Sequence, residues 1–135
     1  MSASPDSSTV ARGRRWVAAA LLGYCCLIFT LTHIPPISTT GLPRYSDKLV
    51  HLLMYLGLGF LLTWRFHIAG RVGVRLFVTV LFIAAVYGAL DELLQIPVGR
   101  RADIRDWLAD CIGAIVGFGC YQIARAITQR KQKKN

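Results

Sequence analysis

Residues 16–34 read WVAAALLGYCCLIFTLTHI, from Trp16 to Ile34 without one formal charge. The hydrocarbon core of a bilayer is about 30 Å thick, and a helix of about 20 apolar residues crosses it. A soluble helix needs a polar face recurring every third or fourth residue, and this stretch has none. It therefore predicts a helix immersed in lipid. The other reading is a cleaved signal peptide, since Arg12, Arg14 and Arg15 stand before it. Against that, the run is longer than the about 7–15 residues of a signal core, and it does not end on an Ala-x-Ala-like cleavage site before His33-Ile34-Pro35-Pro36. Tyr24, before Cys25, is too bulky for a lipoprotein cleavage site.

Three further runs share this character. Leu49–Trp64 is interrupted only by His51, Leu76–Leu90 carries no charge, and Trp107–Ala124 carries only Asp110. The second and third runs reach spanning length if their helices extend one turn into Asp47-Lys48 and Asp91-Glu92. Composition agrees, with 17% charged residues where soluble domains have about 25%. The expected fold is all-α, an integral membrane protein of four transmembrane helices. Residues 1–15 read as a disordered polar leader, 16–125 as the membrane domain and 126–135 as a basic tail. Pro35-Pro36 should end the first helix, and Pro97 with Gly99 the third. Ser46 and Asp106 are the expected caps of the second and fourth helices. Gly113 and Gly117 form a Gly-x-x-x-Gly pair suited to close helix contact, more plausibly inside the bundle than between chains.

The net charge of +9 resembles that of a nucleic-acid binder until it is mapped. Eleven of the 16 basic residues flank the apolar runs on one side: Arg12, Arg14, Arg15, Arg65, Arg71, Arg75, Arg125, Arg130, Lys131, Lys133 and Lys134. The other side holds Arg44, Lys48, Arg100, Arg101 and Arg105, together with every acid except Asp6. Cytoplasmic flanks carry the Lys/Arg excess, so both termini are expected inside, with the basic tail against anionic head groups. No nucleic-acid motif accompanies the charge. Cys25, Cys26, Cys111 and Cys120 fall within apolar runs, with no Cys-x-x-Cys pair, and read as small buried side chains.

The remaining polar residues gather at the outer ends of helices two, three and four. Asp47, His51 and Tyr55 are spaced by four and share a helical face, as do Asp91 with Gln95 and Asp106 with Asp110. Glu92 adjoins Asp91, and Arg100, Arg101 and Arg105 lie in the loop between the last two groups. Each piece has a structural reading, as a helix cap, an interfacial anchor such as Trp107, or a set of mutually neutralising charges. Yet Asp91, Glu92 and Asp110 lie within or against the apolar layer, where an acid costs about 2.5–3.5 kcal/mol. Cations for an anionic oxygen and an imidazole beside a carboxylate are also what phosphate chemistry uses.

The ordered set Asp47-Lys48-x-x-His51-x-x-x-Tyr55, Asp91-Glu92-x-x-Gln95, Gly99-Arg100 and Asp106-Trp107-x-x-Asp110-x-x-Gly113 resembles the VanZ-like family. The likeness runs from about the first helix to the fourth and leaves out both tails. The family has a Pro-Gly-Arg loop where this chain has Val98-Gly99-Arg100, with Pro97 displaced and the loop about one residue shorter. The resemblance implies a small protein of the bacterial cytoplasmic membrane, in a family whose named member is linked to teicoplanin resistance. It also implies a link to enzymes acting on lipid head groups.

On that footing the expected ligand is an anionic lipid or cell-wall precursor bearing phosphate. Arg100, with Arg101 or Arg105, would hold the phosphate, and Gln95, Tyr55, Asp106 and Asp110 would line its site. His51, oriented by Asp47, would act as base or nucleophile, and Glu92 or Asp91 as acid or ligand to a divalent cation. Carboxylates suit Mg²⁺ or Mn²⁺, though nothing in the spacing demands a metal. Two other classes stay open: a non-enzymatic envelope protein that alters antibiotic access, and a small transporter or flippase subunit using the acids as a proton relay.

Overall fold

The computed structural model describes residues 7–34, 45–100 and 102–134. They form four helices: α1 (Ser7–Thr32), α2 (Tyr45–His67), α3 (Gly73–Gln95) and α4 (Ile104–Gln132), with a 3₁₀ turn at Ile96–Val98. All four are long and apolar enough to cross a membrane. Their outward faces carry large apolar side chains, among them Leu22 and Phe82, each 67% exposed. Water does not tolerate so much contiguous apolar surface on a monomer. In a bilayer that surface is the solvated one.

Both ends of the helical region exceed the sequence expectation. α1 starts at Ser7, within the stretch read as a leader, and α4 runs on through Arg130 and Lys131 into the basic tail. Formal charge marks where the apolar layer stops, whereas Ala, Arg, Lys and Gln are good helix formers on either side of that limit. α2 includes Ser46, so Ser46 sits inside the first turn rather than capping it. The expected stop at Pro35-Pro36 lies outside the described residues. α3 ends as expected: the 3₁₀ turn carries Pro97, and Gly99 follows with φ +82°, a conformation that favours glycine.

Contacts fix the relative directions. Lys48 meets Asp106 and His51 meets Asp110, while Gly113 and Gly117 lie against the backbone of Leu52, Leu56 and Phe60. The register advances together on both helices, so α2 and α4 run parallel. Thr32 pairs with Asp91 and Cys25 with Tyr87, which sets α1 parallel to α3. Tyr24 donates to the Met54 carbonyl, and Trp107 to that of Ala85. With its partners Phe77–Phe118 and Glu92–Asp103, α3 is thus antiparallel to α4. The topology is up-down-up-down.

α2 and α4 form the most extensive interface, and α1 packs on α2 and α3 without touching α4 among the described residues. Glycine permits this. A Cβ at Gly113 would meet the Leu52 carbonyl oxygen, one at Gly117 the Leu56 carbonyl oxygen, and one at Gly59 that of Ala114. The Gly-x-x-x-Gly pair is therefore spent inside the bundle. The core is completed by Ile28, Tyr55, Leu58, Leu62, Leu76, Val80, Ala84 and Ala114.

This arrangement sorts the charges by end. The start of α1, the end of α2, the start of α3 and the end of α4 share the basic end, with Arg65, Arg75 and Arg130 on it. The described acids, Asp47, Asp91, Glu92, Asp103, Asp106 and Asp110, all belong to the opposite end.

Candidate functional site

At that acidic end α2 contributes Lys48, His51 and Tyr55 from one face. Its parallel partner α4 presents Asp106 and Asp110 one turn apart, directly opposite. Lys48 Nζ donates to Asp106 Oδ1 at 2.6 Å and reaches Asp103 Oδ2 at 3.4 Å. One turn deeper, His51 Nδ1 lies 3.0 Å from Asp110 Oδ1 and 4.0 Å from Glu92 Oε1. His51, Glu92 and Asp110 are all buried, Asp110 completely. The two cross-helix pairs follow the spacing by which residues three or four apart share a helical face.

α3 serves two sides of the bundle with adjacent residues, which a helix turns about 100° apart. Asp91 faces α1: Oδ1 accepts from the Thr32 hydroxyl at 3.0 Å, and Oδ2 from Gln95 Nε2 at 3.2 Å. Glu92 faces α4, and its Oε2 accepts from the Asp103 N–H at 2.9 Å. Arg100 Nη1 donates to the Thr32 carbonyl at 3.0 Å, tying the α3–α4 loop to the end of α1. Gly88 makes room below: a Cβ there would lie 3.0 Å from Asp110 Oδ2 and 3.4 Å from Tyr55 Cε1. Tyr55 is fully buried, and among the described residues neither its hydroxyl nor Glu92 Oε1 nor Asp110 Oδ2 has a hydrogen-bond partner.

The expected residues thus converge, with redistributed roles. His51, Tyr55, Asp91, Glu92, Gln95, Asp106 and Asp110 are buried at one end of the bundle, with Arg100 at its edge. Among the described side chains, the carboxylate on His51 is Asp110, 59 residues away. Asp47 lies in the first turn of α2 with its side chain outside the described part, and Arg101 lies outside the described residues. Asp106 does not cap α4. Asp103 does, with its carboxylate accepting the Arg105 N–H at 2.8 Å, while Asp106 is left for Lys48. That N–H, aided by Lys48, holds the Asp103 carboxyl below the usual carboxylate range.

Lys48, Asp103 and Thr32 are members to which the sequence reading gave no role in the site. Lys48 was legible, because it stands three positions before His51 and shares its face. Asp103 sits three before Asp106, the usual distance from a cap to the end of the first turn, and that spacing could have moved the cap. For Thr32 the sequence holds no signal, since its role depends on how α1 meets α3.

A groove of about 370 Å³ opens beside the cluster, lined by Ala89, Glu92, Leu93, Ala102, Asp103, Ile104 and Trp107. Leu93 and Ile104 on its rim are 58% and 67% exposed, on the face that lipid would cover. The groove leads from that face to the Glu92 carboxylate.

No curated protein and no solved structure matches this chain. The family model described as VanZ/LLP1 matches residues 27–125. That span runs from within α1 to within α4 and contains every described member of the cluster. The chain belongs to the VanZ/LLP1 family.

Proposed function

We propose that the protein recognises or modifies a phosphate-bearing lipid head group or cell-envelope precursor, at the outer face of a bacterial cytoplasmic membrane. The observation that carries this reading is the groove between α3 and α4. It runs from a lipid-facing apolar rim to Glu92, the member of the buried His51–Asp110–Glu92 cluster among its lining residues. A lipid can keep its acyl chains in the bilayer and bring its head group to the cluster by that route. Lys48 supplies a cationic group one turn above the cluster, and Arg100 another at the end of α1. In this reading His51 is the base or nucleophile, oriented by Asp110, and Glu92 is the acid or a metal ligand.

Topology is part of the proposal. The basic end belongs in the cytoplasm, where Lys and Arg are retained. Reporter fusions after Ala69 and Arg130 should report cytoplasm, and fusions after Thr40 and Ala102 the outside. A cytoplasmic signal at Ala102 would place the cluster in the wrong compartment and end this reading.

The direct test uses protein purified in detergent. An anionic lipid phosphate should raise its melting temperature, and a neutral lipid of equal chain length should not. Release of phosphate or head group would identify an enzyme. Binding without turnover would favour an envelope protein that only holds its lipid. Neither binding nor turnover with any lipid phosphate would sink the proposal.

A further inference from the structure

His51, Glu92 and Asp110 offer one imidazole nitrogen and two carboxylate oxygens within 4.8 Å of one another, and all three are buried. A hydrogen bond links His51 to Asp110, but the remaining oxygens are not accounted for. Glu92 Oε1 and Asp110 Oδ2 lack partners, and so does the hydroxyl of fully buried Tyr55, one turn along α2. Asp110 Oδ2 and the Tyr55 ring meet at Gly88. Native proteins rarely leave such atoms unsatisfied, least of all in an apolar layer.

Among the described residues the excess here is negative. Lys48 is engaged by Asp106 and Asp103, and Arg100 reaches the Thr32 carbonyl. What the two orphaned carboxylate oxygens lack is a centre of positive charge that accepts lone pairs. We propose that His51, Glu92 and Asp110 ligate one divalent transition-metal ion, His51 then serving as a ligand instead of as base or nucleophile, with the Tyr55 hydroxyl beside them to bind an oxygen that the ion carries.

The donor set narrows the ion. Imidazole favours first-row transition metals over Mg²⁺ and Ca²⁺, and two carboxylates keep the site hard, which points to Mn²⁺ or Zn²⁺. Ligands about 2.0–2.2 Å from one ion stand no more than about 4.4 Å apart, so small side-chain rotations close the present spread. Three protein ligands leave a coordination position open, as in metal sites that act on a substrate. The ion site stands by itself. Placing a phosphate oxygen on the open position rests on the lipid reading, and there the ion resolves a conflict: two bare carboxylates repel phosphate, and a bound dication joins them.

Protein purified in detergent and stripped with EDTA would be titrated with MnCl₂, following free Mn²⁺ by electron paramagnetic resonance. The wild type is expected to bind about one ion per chain, displaced by Zn²⁺ but not by an equal concentration of Mg²⁺. Glu92→Gln and Asp110→Asn should each weaken binding at least about tenfold. His67→Ala, at the far end against Tyr121, should leave it unchanged. Should either site variant fail to fold, the bound Mn²⁺ of the wild type still decides, because its spin-echo spectrum should show coupling to an imidazole nitrogen. No saturable binding of Mn²⁺ or Zn²⁺ overturns the proposal, as does missing nitrogen coupling or unchanged affinity in folded Glu92→Gln and Asp110→Asn. Lipid phosphate is added only after the titration. Metal binding without a lipid response then refutes the lipid reading alone, and a lipid response without metal binding refutes this one alone.

Discussion

Gly113→Leu and Gly117→Leu should each leave little folded protein in detergent. A side chain at either place meets α2 backbone, the carbonyl of Leu52 in one case and of Leu56 in the other. Overpacking side chain against side chain costs about 1–3 kcal/mol, because rotamers can give way. Backbone carbonyls held in helical hydrogen bonds cannot turn aside, so the loss should reach or exceed the upper end of that range. Gly119→Leu is the control. It lies on the same helix with open space around its Cβ position, and should purify and melt like wild type. Size-exclusion profiles and melting curves of the three variants check this. A normally folded Gly113→Leu would mean that α2 and α4 do not approach as described.

The second large effect concerns the cluster. Glu92→Gln and Arg100→Ala should abolish lipid-phosphate binding or turnover while melting close to wild type. Glutamine keeps the oxygen that accepts the Asp103 N–H and loses only the charge. Removing the Arg100 side chain frees the Thr32 carbonyl at the end of α1, where lipid head groups and water can replace the bond. His51→Ala should cost both function and fold, because it strips the fully buried Asp110 of its hydrogen-bond partner. If the cluster were only a charge-neutralising network, all three changes would destabilise. Breaking a buried ion pair costs about 3–5 kcal/mol. Melting curves with and without lipid phosphate separate the cases. Uniformly lowered melting temperatures, with no ligand-induced shift in wild type, would leave the cluster a structural role.

Four spans were legible because lipid imposes a coarse rule, a charge-free length, that Trp16–Ile34 and Trp107–Ala124 satisfy without help from neighbours. The rule is blind to where a helix stops beyond the lipid. That is why α1 at Ser7 and α4 at Gln132 overran the expected limits. The cluster was legible as faces, since a spacing of four puts His51 with Tyr55 and Asp106 with Asp110 whatever surrounds them. Pairing across helices was not. His51 found Asp110 through the register between α2 and α4, which the glycines set by letting the backbones meet. Local spacing could point only to Asp47 on the same helix, because periodicity within one helix carries no information about the next.

The parallel pairing of α2 with α4 also fixes an order of assembly. A ribosome delivers α2 to the membrane well before α4, yet α4 carries the glycine surface that α2 needs and the carboxylate that its histidine meets. Until the last span emerges, α2 waits with His51 facing lipid, α1 or the insertion machinery. α3 meanwhile brings Glu92 into the same unfinished space, while Asp91 already has Thr32 and Gln95. Truncating the chain before residue 104 would therefore remove more than one helix. It would strand buried His51 without Asp110 and Lys48 without Asp106, and such nascent chains are the ones a membrane quality-control protease should find first.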